Sequence, residues 1–535
     1  MLLEGKQQAT TKLNISFIIL IIGVFMAALD NGIISAALTT INSSFGVSAS
    51  TGTWGITLYT LGLAVMTPIA GKLSDRYGRK KLFLIEIIVF TTGSLSVALS
   101  PNYTFFLAAR LFQSFGGGGI FVIASSYVIS TVSKKRQGSI LGLLGGMHGL
   151  ASVIGPNIGS FLIDITGSWH WLFLINVPIG GALMIGGWLV LEENREKVLS
   201  SIDFLGISLL SFSILSMMLA INNVSTREGI QSLFHFKISG FMIISFLIFT
   251  IFIVVEKKRE EKDKTDPILP YRLLRNPTYT VTMIMALISG TFIGSIIFIP
   301  SFVEQVLAIP VEKSGYWMTP LAIASGIGAA GGGFFVDKKG PVQTLIASGV
   351  ITFIGFGGLG VLAETTSMFI IFSTIAGFGF GFILGAPLTV LTSNAAGSQK
   401  GSALGTLSVA RQVGITISPT IFGSIIQHGF SNMERIIPNK LSKYGVETDE
   451  VSVHQIERLS DSHYSEIQTK IANIPSEDVR FALQEAFNEA ARNAYEPIYI
   501  LVACLTVLIV VLSVIFHHDF SQDEAKENSK SEEKN

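Results

Sequence analysis

A single cysteine, Cys504, leaves the 535-residue chain without an intrachain disulfide and without a cysteine-built metal site. His148, His170, His428, His454, His463, His517 and His518 are not spaced as metal ligands, so no metal is expected. Charge is scarce too: 14% of residues are Asp, Glu, Lys or Arg, against roughly 25% in soluble domains. The signs cancel to a net charge of zero, which gives nucleic acid no reason to bind. No phosphate-binding loop of the G-x-x-x-x-G-K-[ST] type is present, so ATP is not the energy source, and no enzyme signature takes its place. Gly116–Gly119 lies inside an apolar run and not between a strand and a helix, so it is no nucleotide loop.

What remains is apolar. Hydrophobic residues make up 49% of the chain, and the mean hydropathy is +0.57. They are gathered into long runs separated by short charged connectors. A membrane-crossing helix needs roughly 20 mainly apolar residues, and fourteen such spans are expected. They lie near 15–38, 53–73, 82–100, 104–130, 138–163, 171–191, 203–222, 237–255, 278–303, 314–336, 342–362, 367–392, 402–427 and 495–516. The run from Ile15 to Leu38 is too long for a cleaved leader and reads as a first span that stays. The 54 glycines suit helices packed closely in a bilayer.

Lys and Arg collect on alternate connectors, among them Lys72, Arg76, Arg79, Lys80, Lys81, Lys134, Lys135, Arg136, Lys257, Lys258, Arg259, Lys338, Lys339 and Lys400. The short connectors on the other side hold only Arg227, Lys237 and Lys313. By the positive-inside rule both termini are cytoplasmic. The polar connector 428–494 is then external, with Ser476–Arg492 as an amphipathic helix carrying Val479, Phe481, Ala482, Ala486 and Phe487 on its apolar face. It reads as an external cap, or less readily as a docking or gating element.

The chain repeats itself. Gly71-Lys-Leu-Ser-Asp75-Arg76-Tyr-Gly78 follows the second span, and Gly333-Phe-Phe-Val-Asp337-Lys338-Lys-Gly340 follows the tenth. Gly155-Pro156 in the fifth span is matched by Ser418-Pro419 in the thirteenth. Spans 1–6 and 9–14 thus form two copies of a six-helix unit, with spans 7 and 8 inserted between them. The expected division is 1–14 N-terminal, 15–200 first bundle, 201–277 inserted pair and linker, 278–516 second bundle and 517–535 tail.

Charges inside spans are costly and mark function by default. Asp30 lies within the first span, and Arg110 in the fourth is its natural counter-charge. The pair either binds and releases a proton or holds two helices together as a static ion pair. Glu86, one and a half turns into the third span, either lines the cytoplasmic mouth or reaches back to the basic loop. Arg411, beside Gln412 in the thirteenth span, needs carbonyls or a carboxylate, or else holds an anionic group of a substrate. Asp203 and Asp337 are read as acids at helix starts, where they complement the helix dipole.

Several segments together carry a family resemblance across about residues 13–516. Gly71-Lys-Leu-Ser-Asp75-Arg76-Tyr-Gly78-Arg79-Lys-Lys resembles the cytoplasmic loop signature of the major facilitator superfamily. Leu29-Asp30-Asn31-Gly-Ile-Ile-Ser-Ala-Ala-Leu38 resembles the first-span signature of its fourteen-span drug:proton antiporters. Arg110-Leu-Phe-Gln113-Ser-Phe-Gly116 is similar to their fourth-span signature, and Gly149-Leu-Ala-Ser-Val-Ile-Gly155-Pro156-Asn-Ile-Gly159 to the antiporter signature of span five. Trp169-His-Trp171-Leu-Phe-Leu-Ile-Asn176-Val-Pro178 resembles the entry to span six, and Arg411-Gln412-Val-Gly414 a signature of span thirteen.

The resemblance implies an all-α polytopic membrane protein with the major facilitator fold: two six-helix bundles plus two inserted helices. It implies a proton-coupled exporter of amphipathic or cationic small molecules, working by alternating access in a bacterial cytoplasmic membrane. The expected partners are substrate, protons and the lipid bilayer; the chain is expected to act as a monomer, with the proton gradient in place of any cofactor. One departure matters. Some members carry a carboxylate in the tenth span that helps bind divalent cations, whereas residues 314–336 contain none, which favours monovalent or neutral amphiphiles. The alternatives are a dedicated exporter of one metabolite, lipid or envelope precursor, and a receptor or scaffold using 428–494.

Overall fold

A computed structural model describes residues 2–522, except 195–200, 225–231, 233, 261–264, 268, 270, 398, 432, 445–470, 472–473 and 475. Inside a bilayer no water is at hand for the backbone, so each span must satisfy its own amides and carbonyls as a helix. The long helices are α1 (Leu2–Phe45), α2 (Trp54–Tyr77), α3 (Arg79–Ala98), α4 (Tyr103–Thr131), α5 (Lys134–Thr166), α6 (Asn176–Val190), α7 (Phe204–Asn222) and α8 (Phe236–Glu260). They continue with α9 (Pro277–Ile296), α10 (Thr319–Lys339), α11 (Pro341–Val361), α12 (Thr366–Gly385), α13 (Lys400–Ser431) and α14 (Glu477–Ile515). Short helices prolong some of these, such as Ile299–Gln305 after α9 and Pro387–Ala396 after α12. Among the described residues thirteen helices are long and apolar enough to cross a membrane, and fourteen when the bent α5 counts as one. A two-residue parallel bridge, Ser201–Ile202 with Thr265–Asp266, joins the segments that flank the inserted pair.

Polar side chains begin several helices by accepting from free first-turn amides. Asn102 accepts from the Phe105 amide, Asp203 from Gly206, Asn276 from Thr278 and Thr365 from Met368. The glycine that closes each copy of the repeated motif has a plain conformational reason. Gly78, between α2 and α3, has φ +108°, and Gly340, between α10 and α11, has φ +88°, values that glycine adopts without strain.

The repeat is visible in the packing. In the first half α1 lies on α5, α2 and α3 on α4, and α3 on α6. In the second half α9 lies on α13, α10 and α11 on α12, and α11 on α14. Two crossings join the halves, α2 on α13 and α5 on α10. The inserted α7 and α8 pack on each other, and α7 leans on α2 and α13 at the seam.

Both crossings are backbone to backbone, and both lie at the end of the bundle where the basic connectors gather. A Cβ on Gly71 would stand 2.2 Å from the Gly401 carbonyl oxygen, and one on Gly333 would stand 2.2 Å from that of Gly138. The α5–α10 contact climbs through Gly142 against Ala329 and reaches Gly146 against Gly326. There it ends. α5 bends by 47° between Ser152 and Ile154, just before Gly155-Pro156, as the clash of proline with its preceding turn leads one to expect. Its far half lies on α1, where Gly155 meets the Gly32 backbone. Gly326 faces open space on α10, with nothing within 4 Å of where its Cβ would be. A cleft therefore opens between the halves beyond the closed basic end.

Two expectations need correction. Ser476–Arg492 is helical with an apolar side, as expected, but it is continuous with the last span: α14 runs unbroken from Glu477 to Ile515, and its outer part packs on a short helix, Met433–Lys443. Met433, Ile437, Leu441, Val479, Leu483 and Phe487 form a small core there. Lys440 pairs with Glu485 at 2.8 Å and Glu489 at 2.7 Å. Phe481, expected on the buried face, is 57% exposed. Asp337 does not begin a helix but lies near the end of α10. Residues 445–470 of the polar connector and the tail beyond 522 lie outside the described residues.

Two glycines on one helix test the crossing. Gly333→Leu should lower the melting temperature of the purified protein, since overpacking a tight contact costs about 1–3 kcal/mol. Gly326→Leu, seven residues away beside open space, should melt close to wild type. Equal melting temperatures would contradict the account of the closed end.

Candidate functional site

The repeated motif locks the closed end from both sides. Asp75, near the end of α2 and buried, accepts from the amides of Gly401 (2.8 Å) and Ser402 (3.2 Å), at the start of α13 in the other half. Asp337 does the same in reverse, accepting from the Gly138 amide (2.7 Å), the Ser139 amide (2.8 Å) and the Ser139 hydroxyl near the start of α5. Each acid thus complements the dipole of a helix in the opposite half, an interaction worth up to about 2 kcal/mol when partly buried. Asp337 is an acid at a helix start after all, but at the start of a different helix.

Arg79 stays within the first half. Its guanidinium pairs with Asp75 at 2.8 Å, and its Nε donates to the Ser126 hydroxyl of α4 at 2.7 Å. Arg76 lies over the Tyr77 ring, 5.8 Å from its centroid. Gly71 supplies the close approach and Gly78 the turn. The aspartate spans the two halves.

Further along, α1, α3, α4 and α6 converge on Asp30, which is 2% exposed. Arg110 Nη1 donates to its Oδ2 at 2.7 Å. Gln113 Nε2 donates to its Oδ1 at 2.8 Å, and Asn176 Nδ2 to the same oxygen at 3.2 Å. Arg110 also donates to Gln113 Oε1 at 2.6 Å and lies 4.0 Å from the Tyr59 ring centroid and 5.4 Å from that of Phe173. The Ser94 hydroxyl accepts from both Gln113 (2.7 Å) and Asn176 (3.2 Å). The network supplies a carboxylate, its counter-charge and neutral amides that can bond either form of the acid.

The other residues singled out from sequence fall apart from this cluster. Glu86 is buried between α3 and α4 and accepts from the Gly119 amide at 3.0 Å. Arg411 and Gln412 are half-buried on α13 in the second half. Arg411 Nε donates to the Ser289 hydroxyl at 3.3 Å, while its Nη2 is buried with no hydrogen-bond partner among the described residues. Gly149 makes ordinary contact with Leu384 and Ser325, Gly155 is pressed on α1, and Gly159 is buried. Sequence reasoning missed Ser94 and the role of Asn176. Neutral polar residues are common in spans, and only the position of Asn176 within a quoted motif signalled it.

A bundle of this topology, with a cleft between two repeated halves and a buried ion pair in one of them, defines a membrane transporter. The model of the Major Facilitator Superfamily matches residues 20–419, and the chain belongs to that family. It is 51% identical over 478 residues to an uncharacterized MFS-type transporter of Bacillus subtilis, YfiU, covering 89% of this chain and 92% of that one. Multidrug resistance protein 3 of the same organism is 32% identical over 80% of this chain and 81% of its own length. The Tetracenomycin C resistance and export protein of Streptomyces glaucescens is 27% identical over 78% and 76%. In fold, the chain resembles the human organic anion transporter MFSD10, with a TM-score of 0.58 at 12% identity over 92% of this chain and 99% of that one. The expected fold, two six-helix bundles with an inserted pair, is the one observed.

The two partners of the buried pair should not be equally dispensable. Arg110→Ala leaves a buried carboxylate without its counter-charge and should cost about 3–5 kcal/mol. Asp30→Asn keeps an oxygen for Arg110 and should be tolerated far better. Thermal unfolding of the purified variants checks this; an Arg110→Ala protein as stable as Asp30→Asn would contradict it.

Proposed function

We propose that this protein is a proton-coupled exporter of amphipathic small molecules, cations among them, with Asp30 as the site where the proton binds. The observation that carries the reading is the isolation of Asp30: a carboxylate deep in the bundle, held by one arginine and two amides. Intramembrane carboxylates of this kind mark proton relays in pumps and transporters. With the basic end cytoplasmic, as the distribution of Lys and Arg supports, both termini are inside and the cleft faces outward.

Protonation of Asp30 removes the charge that Arg110 balances. Arg110 keeps Gln113 Oε1, the Gly55 carbonyl at 3.5 Å and the faces of Tyr59 and Phe173. The tie between α1 and α4 is thereby weakened, not replaced by a bare buried cation. α4 also carries Ser126, which holds Arg79 and through it the Asp75 clamp on α13. One rigid helix therefore touches both the proton site and the lock at the closed end. In this reading a proton from outside neutralises Asp30, substrate leaves, and the halves rock to the inward-facing state. Release of the proton to the cytoplasm restores the ion pair and readies the site for the next substrate. Glu86 is a second buried carboxylate close to α4, available as an auxiliary proton acceptor. The names of Multidrug resistance protein 3 and of the Tetracenomycin C resistance and export protein support the export reading.

Transport in inverted vesicles tests the proposal. Under an acid-inside gradient, vesicles should accumulate ethidium or other fluorescent amphiphiles, the accumulation should collapse with the gradient, and Asp30→Asn should abolish it. Undiminished gradient-driven uptake by Asp30→Asn would overturn the assignment of the proton site. No uptake of any amphiphile by correctly inserted protein would overturn the export reading.

A further inference from the structure

The second half of the bundle is nearly empty of charge. Residues 277–303, 314–336, 341–363 and 366–431 contain no Asp or Glu, and neither do residues 497–516. Arg411 therefore has no acidic partner in its own half. Its one hydrogen bond, to Ser289, engages Nε only, and the buried Nη2 points at nothing that can accept from it. Leaving that one buried N–H group without an acceptor is costly. Arginines in such places are retained when something else completes the site.

The internal repeat shows where Arg411 is. Gly138 and Gly401, Gly142 and Gly405, Gly155 and Ser418, and Pro156 and Pro419 each lie the same number of positions apart along the chain. Counting by that offset, the partner of Arg411 is His148 on α5. The two side chains occupy equivalent positions on the paired helices of the two halves, and His148 lies within electrostatic reach of Arg411 across the cleft. Both are half-buried. His148 sits 5.2 Å from the Phe121 ring, ring centroid to centroid, and one position before Gly149, near the level where the α5–α10 contact gives way to open space at Gly326. One guanidinium and one imidazole thus hold equivalent places in the two halves, with an aromatic ring beside the imidazole.

The nearby acids do not cancel this charge. Asp30 is taken up by Arg110, Gln113 and Asn176. Glu86 is turned onto the Gly119 amide between α3 and α4. Asp75 and Asp337 are spent on the amides at the closed end. We infer that Arg411 and His148 form an oxyanion subsite on the axis between the halves, so that the preferred cargo is an amphiphile carrying a carboxylate or phosphate, alone or beside a cationic group. A guanidinium fork fits two oxygens of such a group, the imidazole can donate to a third contact, and Phe121 offers an apolar face to the rest of the molecule. This inference rests on the cleft being the substrate path of the exporter proposed above.

Binding separates it from the question of proton coupling, because no gradient is involved. Protein in lipid nanodiscs would be titrated with dansylated undecanoate and with its uncharged methyl ester, subtracting empty nanodiscs. Wild type should bind the carboxylate about 10-fold or more tightly than the ester, as one charge-assisted hydrogen bond gained implies. Arg411→Gln should lose that preference while its affinity for the ester and its melting temperature stay near wild type, and Arg411→Lys should retain part of it. Equal affinities in wild type, or a preference that survives Arg411→Gln, would overturn the subsite. The vesicle result with Asp30→Asn bears only on proton coupling, so the two readings fail separately.

Discussion

A carboxylate and a guanidinium sit together in the interior of the first bundle, each balancing the charge of the other. Removing water from either charge alone is expensive, and only the short Asp30–Arg110 contact with its ring of amides makes the burial tolerable. That constraint fixes much else. It ties α1 to α4, draws Gln113 and Asn176 inward from α4 and α6, and places Tyr59 over the guanidinium. It also makes the pair sensitive to one small event, the arrival of a proton.

The remainder of the molecule is organised so that a local change can be felt at a distance. Glycine faces let helices of opposite halves cross at backbone distance, and two aspartates seal those crossings by capping helices they do not belong to. Packed contacts of this kind are either made or broken, with little room for partial deformation. α4 runs from the ion pair to Ser126, which holds Arg79 against Asp75. The first bundle thus carries the titratable pair, while the second carries the unpaired arginine. On this account one half handles the proton and the space between the halves handles the cargo.

Much of this was legible in the sequence, for reasons that can be named. Asp30 and Arg110 stood out because charge inside a span is rare. The fourteen spans followed from hydropathy, and the two copies followed from the matched Gly–Asp–Gly intervals at 71–78 and 333–340. The destinations of Asp75 and Asp337 were hidden, because a cap offered to a helix in the other half is a tertiary fact with no local signal. Ser94 was equally hidden, and Asn176 was signalled only by its motif, since neutral polar residues in spans serve many ends. The outer end of α14 was legible as a helix, but its continuity with the last span was not, because a helix that leaves the membrane becomes polar and reads as part of a connector. The pairing of His148 with Arg411 was present in the repeat offset but acquires meaning only once the cleft between their helices is seen.

Infrared difference spectroscopy on the reconstituted protein, taken between neutral and acidic conditions, tests the central claim most directly, since it reads the carboxylic acid itself. The account predicts a protonated-carboxyl band that appears on acidification in wild type and is missing from the Asp30→Asn variant. Identical difference spectra for the two proteins would show that Asp30 does not take up the proton, and the account of coupling would fail.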